Sequence, residues 1–293
     1  MKKTFKKNRL PARKLLLKIG LYVLAIAIVA IILFPIVWML PGAWKTKQEF
    51  SSALYDISWL PKSATWKNFT YVFEVSVNGG IFSRALLVTT AVSVIGTVLV
   101  VFVNSLAGFG FARFDFFGKK FLFAYALFTM FIPGITTMLT SVRLCNMLHI
   151  TNTLWVLFLP GVAGGYNTFF FRQYYLSLPA SLEEAAMIDG ASRARIYFEI
   201  FLPMSVTPIV IIGVGAFMGH WNNYLWPTLT ITDNEEWLTQ IMQVIHSLSG
   251  SPASRYGNGI VIAATLISLL VPFSLYAVCQ KYIVDGIAIS GLK

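Results

Sequence analysis

Six long stretches without a charged residue alternate with polar segments along this chain. They cover about residues 19–40, 85–111, 121–142, 154–171, 202–226 and 259–280. A bilayer core is about 30 Å thick, and roughly 20 apolar residues in a helix cross it. Because backbone groups in lipid must be hydrogen-bonded internally, each stretch is predicted to be a transmembrane helix. The pattern predicts an all-α membrane protein, with a six-span domain over 19–293 that follows a tail, 1–18.

Composition agrees with the membrane class, since 57% of the residues are apolar and 12% are charged. That charged share is about half the share usual in soluble domains. The first span follows a basic segment, as the apolar core of a signal peptide does, but it is too long for such a core. It is therefore predicted to be an uncleaved anchor.

The net charge of +11 is compatible with nucleic-acid binding, but its placement favours contact with a membrane. Eight Lys and Arg residues lie in the tail 1–18 and end where the first span begins. With this tail inside, the inner segments hold sixteen Lys and Arg residues and the outer loops six, with Arg84 at a span edge. Inner loops are the positive ones, so both termini are predicted to be cytoplasmic. The tail is expected to contact anionic lipid, and no nucleic-acid partner is expected.

No catalytic motif is present in the sequence. A P-loop cannot be built around Gly118-Lys119, because Arg113 stands where the upstream glycine is required. The histidines and the two cysteines lack the spacing of a metal site, and a disulfide is not expected. Because no nucleophile, metal site or acid pair converges, a membrane-embedded enzyme is disfavoured. Neither catalytic nor metal-binding nor cofactor-binding residues are predicted.

The six predicted spans contain no Asp, Glu, Lys or Arg. Ion-coupled carriers usually need such groups inside the membrane, although each costs about 2.5–3.5 kcal/mol on insertion scales. Their absence counts against an ion-coupled or passive carrier that works without an ATPase. That carrier is kept as the alternative function.

The inner segment 172–201 has the clearest local signals. Ser181 and Glu184 form an S-x-x-E capping box, which predicts that a helix begins there. Ser192 is predicted to cap a second helix, 193–201, that leads into the fifth span. The segment is therefore predicted to be a helical hairpin at the inner face of the membrane.

The first of these helices contains small residues and is predicted to end at a glycine. Ala185 and Ala186 leave little bulk, so another protein surface can approach closely, and Gly190 suits the left-handed position that ends a helix. Physical reasoning alone leaves two alternatives open. The hairpin is either an amphipathic connector on the lipid headgroups or a docking element for another protein.

A resemblance to a known family favours the docking element. Glu184-Ala185-Ala186, Gly190 and Ile200-Phe201-Leu202-Pro203 match the pattern E-A-A-x3-G-x9-I-x-L-P. This pattern resembles the EAA signature of permease subunits in bacterial binding-protein-dependent ABC importers. Other stretches resemble the maltose-type carbohydrate branch of that family: Trp59-Leu60-Pro61, Asn68-Phe69, the run from Asn104 to Arg113, Ile132-Pro133-Gly134, the run from Trp221 to Pro227, and Val284-Asp285-Gly286 with Gly291.

The resemblance implies the type I ABC importer permease fold in a multi-pass protein of the bacterial cytoplasmic membrane. It implies a heterodimer with a second six-span permease, two ATP-binding cassette subunits that bind and hydrolyse ATP, and an extracytoplasmic solute-binding protein. The implied substrate is a carbohydrate, with oligosaccharides as the leading class. Glu184 would pair with a basic group on the ATPase. The residues implied to couple the permease to the ATPase are Glu184, Ala185, Ala186, Asp189 and Gly190.

Candidate substrate contacts lie in two spans. The outer end of the fifth span offers aromatic faces and amides that suit a sugar: Trp221, Asn222, Asn223, Tyr224 and Trp226. The alternative there is an aromatic belt at the membrane interface. Asn223 replaces the acidic residue often found at this point of the family. Asn104 is either a pathway contact or an interhelical hydrogen bond. The outer loop 227–258 either reaches into the binding protein, as the resemblance implies, or is simply solvated.

Overall fold

The computed structural model describes residues 12–52, 58–74, 76–77, 80–232, 236–250 and 257–290. Most of the basic tail, the loop acids Asp233 and Glu235, and Gly291 lie outside these residues. The helices and strands within them are α1 (Ala12–Gly42), α2 (Lys47–Ser52), α3 (Lys67–Glu74), β1 (Ser76–Val77), β2 (Gly80–Ile81), α4 (Phe82–Arg113), α5 (Lys119–Phe128), α6 (Gly134–Met147), α7 (Gly165–Ser177), α8 (Ala180–Ile188), α9 (Arg193–Ile196), α10 (Leu202–Met204), α11 (Val206–Trp221), α12 (Leu225–Thr230), α13 (Ile241–Gly250) and α14 (Asn258–Ser290).

In the part of the chain so described, three helices are long and apolar enough to cross a bilayer unbroken. They are α1, α4 and α14, and the first, second and sixth predicted spans lie within them. The other three predicted spans overlap helix pairs that are bent at a break, with bounds that differ by several residues. The bends are 108° between α5 and α6, 51° between the 3₁₀ turns of Leu154–Gly161 and α7, and 77° between Arg193–Met204 and α11. The chain provides six spans if each bent pair crosses the membrane once.

Proline and glycine explain two of the three breaks in these spans. Ile132 is extended, with φ −89° and ψ 116°, because the ring of Pro133 disfavours helix at the preceding residue. Gly164 is also extended, with φ −139° and ψ 131°, immediately before α7. At the third break, Ser205 has φ −94° and ψ 24° between α10 and α11. The apolar pattern predicts the spans but not these bends, since it reports contact with lipid and not the direction of an axis.

The outer segments contain more structure than the sequence predicted. α2, α3 and the antiparallel pair β1–β2 lie between the first two long spans. In the last outer segment, α13 buries Ile241, Val244 and Leu248 in a hydrophobic core that also contains Phe82 and Trp221. Their spacing of three and four residues is that of an amphipathic helix. This periodicity was the signal that the prediction of a polar loop missed.

α4 lies at the centre of the fold, because it packs most extensively against α7 and α11. One core surrounds its outer half and includes Phe82, Trp221 and Ile260. A second, largely aromatic core surrounds its inner half and includes Phe109 and Tyr197. α1 is different, because its most apolar stretch has no buried residue. Lipid or another protein must therefore cover α1.

Candidate functional site

The inner hairpin consists of α8, a turn at Gly190, and α9, which continues through a π-helical turn (Tyr197–Phe201) into α10. Gly190 has φ +77°, the left-handed conformation that the sequence predicts. Its N–H donates to the carbonyl of Met187 at 3.1 Å, and the N–H of Ala191 donates to the carbonyl of Ala186 at 2.9 Å. These two bonds form a Schellman motif, which satisfies the last carbonyls of α8. The turn between the two helices is thus tightly defined.

The second helix begins as predicted, but the first does not. The Ser192 side chain accepts a hydrogen bond from the backbone N–H of Arg195 at 3.2 Å, which confirms the predicted cap of α9. The capping box at Ser181 is wrong: the N-cap of α8 is Pro179, and no side chain caps this end. Leu178 is extended because it precedes a proline. The helix begins directly after that proline, at Ala180, and Ser181 therefore lies inside it.

α8 has an outward and an inward face. Glu184 and Ala185 are exposed and Ala186 is half-buried. Ile188 is 86% exposed, although it is a large apolar side chain. Asp189, at the end of the helix, is exposed as well. Of the predicted coupling residues, Glu184, Ala185, Asp189 and Gly190 are therefore accessible, whereas Ala186 packs partly against the inner core.

The inward face contains an acidic residue that the sequence analysis overlooked. Glu183 is 7% exposed and forms ion pairs with Arg113 of α4 and Arg193 of α9. Burial of a carboxylate requires such partners, since an unpaired buried charge is costly. The available signal was the position of Arg113 at the end of a span, on the same side of the membrane as the hairpin.

Asn104 forms an interhelical hydrogen-bond network. Its amide nitrogen donates to the carbonyls of Val100 at 2.6 Å and Val162 at 2.7 Å. Its amide oxygen accepts from the N–H of Gly164 and the hydroxyl of Thr168, both at 2.9 Å. An amide can make four hydrogen bonds, so nothing remains for a substrate. Of the two alternatives for Asn104, the structure supports the interhelical bond.

The candidates at the end of the fifth span do not form one surface. Trp221 is 1% exposed and stacks on Phe217 in the outer core, so it meets neither substrate nor lipid headgroups here. Asn222 is exposed. The Tyr224 hydroxyl lies 3.0 Å from His246 Nδ1 of α13. Trp221 is therefore directed into the core, whereas Tyr224 contacts α13.

Asn223 lines a cavity that the sequence did not predict. This open cavity of about 270 Å³ lies between α6, the 3₁₀ turns of Leu154–Gly161 and the ends of α11 and α12. His220 and Trp226 line it with Asn223. The Trp226 indole N–H donates to the carbonyl of Val156 at 2.7 Å, which fixes the ring. Trp226 was among the predicted sugar contacts, whereas His220 was not, because only tertiary structure brings it to the α6 side.

Solved structures share this fold. The chain matches the "Crystal structure of a bacterial ABC transporter involved in the import of the acidic polysaccharide alginate" with a TM-score of 0.77 and 19% identity, over 94% of this chain and 99% of that one. A second structure, of the bacterial alginate ABC transporter in complex with alginate pentasaccharide-bound periplasmic protein, matches with a TM-score of 0.63 and 16% identity, over 92% and 94% of the two chains. At these identities the likeness concerns the fold.

Curated sequences are similar over almost their full length. The arabinooligosaccharides transport system permease protein AraQ of Bacillus subtilis (strain 168) is 29% identical, over 89% of this chain and 90% of the relative. The lactose transport system permease protein LacG of Rhizobium radiobacter is 30% identical, over 87% and 89%. The sn-glycerol-3-phosphate transport system permease protein UgpE of Escherichia coli O1:K1 / APEC is 30% identical, over 88% and 92%.

The family described as "Binding-protein-dependent transport system inner membrane component" matches residues 104–285. This match starts at Asn104, includes the whole hairpin, and covers more than half of the chain. The relatives and the fold agree with it. The chain therefore belongs to this family of ABC importer permeases and is an integral protein of the cytoplasmic membrane.

Proposed function

We propose that this chain is the permease subunit of an ATP-driven importer that moves an oligosaccharide delivered by an extracytoplasmic solute-binding protein. The relatives are named for the transport of arabinooligosaccharides, lactose and sn-glycerol-3-phosphate, and the structural neighbours belong to an alginate importer. Most of these substrates are carbohydrates. The observation that carries the coupling to an ATPase is the accessible face of α8, where Glu184 and Ile188 are exposed next to small residues.

Energy for transport comes from a separate subunit in this proposal. Two ATP-binding cassette subunits bind and hydrolyse ATP, and each permease half presents a hairpin to one of them. Glu184 pairs with a basic group of the ATPase, and Ala185 and Ala186 permit close approach. The Schellman turn at Gly190 supports this role, because a defined turn between short helices transmits displacement better than an irregular loop.

The substrate pathway lies between this chain and a second six-span permease, so that the pair forms a heterodimer. The cavity beside α6 has the chemistry that a sugar ring requires. Trp226 offers an aromatic ring, while Asn223 and His220 offer hydrogen-bonding groups. A volume of about 270 Å³ accommodates one sugar unit at a time. Asn223 and Trp226 are thus kept as substrate contacts, and His220 is added.

Reconstitution tests the proposal. The complete importer, with both permeases and the ATPase subunits, is reconstituted into liposomes that contain ATP. When the binding protein carrying a labelled oligosaccharide is added outside, the liposomes are expected to take up the label. Uptake should stop when ATP is replaced by a non-hydrolysable analogue or when the ATPase subunits are omitted. Uptake by the permease pair without nucleotide hydrolysis would instead establish a secondary carrier.

A variant tests the docking face. Glu184→Lys places like charges at the predicted contact, so it should reduce both uptake and substrate-stimulated ATP hydrolysis by about tenfold. The amount of protein in the membrane should not change, because Glu184 is exposed. Asp115→Lys is the matched control, since Asp115 is an exposed carboxylate on the same side of the membrane but outside the hairpin. Equal uptake by the Glu184→Lys and wild-type proteins would refute the docking role.

A further inference from the structure

A buried carboxylate lies beneath the hairpin, between two arginines. The side chain of Glu183 is 9% exposed. Its Oε1 accepts a hydrogen bond from Nη1 of Arg193, in α9. Its Oε2 lies 3.7 Å from Nε of Arg113, the last residue of α4. One acidic side chain thus connects both helices of the hairpin to the inner end of the central span.

Arg113 extends this connection to α7. Its Nη2 donates to the carbonyls of Tyr175 at 2.6 Å and Leu178 at 2.8 Å. These are among the last carbonyls of α7, which have no complete set of partners within the helix. The guanidinium also lies 4.9 Å from the ring centroid of Phe201, in the π-helical turn after α9. Arg113 therefore touches the helix before the hairpin and the segment after it.

We infer that Arg113 and Glu183 are positioning residues, which fasten the hairpin to α4 and α7 so that all of these elements move as one body. The inference rests on the proposed function, because it concerns how motion of an ATPase would reach the spans. A buried network of hydrogen bonds also joins the hairpin to α4 and α7 and supports this inference. The Ser105 hydroxyl of α4 lies 2.6 Å from the Tyr175 hydroxyl of α7 and accepts from the Tyr197 hydroxyl at 3.0 Å.

The two glutamates of α8 then have separate roles. Glu184 points outward and has no ion-pair partner within the described residues, so it is available to another subunit. Glu183 points inward and forms ion pairs with Arg193 and Arg113 of the same chain. Loss of the Glu183 charge would leave two arginines close together without their counter-ion. Motion of the hairpin would then no longer be imposed on α4.

The test compares Glu183→Gln and Arg113→Met with a matched pair in the same hairpin. Arg195 and Glu199 form an exposed ion pair at 2.8 Å that reaches neither α4 nor α7, so Arg195→Met and Glu199→Gln serve as controls. In the reconstituted importer, the two test variants should retain ATP hydrolysis but import about tenfold less substrate per ATP. The controls should match the wild type. A wild-type importer without ATP-dependent uptake would refute the proposed function, not the fastening.

A distance measurement tests the fastening independently of transport. Spin labels are placed at two exposed sites, Ser181→Cys in α8 and Asp115→Cys just after α4, in a chain without Cys145 and Cys279. The distribution of label distances should be narrow in the parent and in Arg195→Met, and broad in Glu183→Gln. Glu183→Gln preserves the shape of the side chain, so it remains informative if Arg113→Met fails to fold. A narrow distribution, or unchanged import per ATP, in Glu183→Gln would overturn the inference.

Discussion

At the scale of single residues, Asn104 allows the fourth span to break inside the membrane. The break frees the carbonyl of Val162 and the N–H of Gly164, and Asn104 binds both. No water is available in the bilayer core to do this, so a neighbouring side chain must supply the hydrogen bonds. The sugar-contact alternative for this residue is therefore replaced by a structural role.

Asn104→Leu should destabilise the protein, because it leaves two backbone groups unpaired in a buried site. The expected loss in the free energy of unfolding is about 2–4 kcal/mol. Thermal unfolding in detergent measures it. Asn222→Leu, at an exposed asparagine, is the control and should unfold like the wild type. An unchanged transition for Asn104→Leu would show that the network is not needed.

Gly190→Val should loosen the hairpin. A side chain at φ +77° costs about 1–2 kcal/mol, and a β-branched one is the least tolerated. We expect normal membrane insertion but reduced uptake and reduced substrate-stimulated ATP hydrolysis. Gly190→Asn is the matched control, since asparagine tolerates the left-handed region. If the two variants transported equally well, the conformation of this turn would not matter for coupling.

The hairpin also shows what sequence reasoning can reach at this scale. Gly190 and Ser192 were predictable because a left-handed glycine and an N-cap serine act on the backbone next to them. Glu183 was not, because its partners come from α4 and α9 and its burial depends on how these helices pack. The predicted cap at Ser181 was wrong because the preceding Leu178-Pro179 is extended and the helix begins directly after it, at Ala180.

At the scale of elements, the long spans were predictable and the bent ones were only partly so. A long apolar run indicates that a segment lies in lipid, and this signal alone was enough to predict α4 and α14 as spans. The proline at 133 locates one break, but the 108° between α5 and α6 depends on packing against other helices. α13 was missed because a short amphipathic helix among polar residues carries a weak signal.

Close packing of α5 against α7 gives a prediction at this scale. A Cβ on Gly165, the first residue of α7, would overlap the carbonyl oxygen of Ala126 in α5. Gly165→Ala should therefore separate the two helices and lower the free energy of unfolding by about 1–3 kcal/mol. Gly161→Ala is the control, because a Cβ there meets no atom within 4 Å. Equal unfolding temperatures in detergent would contradict this packing.

At the scale of the whole molecule, the chain is incomplete as an isolated subunit. α1 is a 31-residue helix whose apolar surface is almost entirely exposed within the chain. The buried hydrophobic clusters lie around α4 instead and contain no residue of α1 among their buried members. In the membrane, lipid and the proposed second permease are the available partners for that surface.

The topology predicts which residues are accessible from each side. In a variant without Cys145 and Cys279, a membrane-impermeant maleimide should label Ser63→Cys in intact cells. Ser181→Cys, in the hairpin, should be labelled only after the membrane is opened. The reverse pattern would place the hairpin outside the cell and refute its contact with a cytoplasmic ATPase.

The 77° bend at Ser205 determines the direction in which α11 moves when the hairpin is displaced. The segment Arg193–Met204 and α11 are almost perpendicular to each other. A displacement along the axis of the first segment therefore moves α11 mostly sideways, across its own axis. The outer end of α11 would then be displaced parallel to the membrane plane and not along the axis of α11. Asn223 lies at that end, so the stroke would change the width of the cavity beside α6 and not its depth.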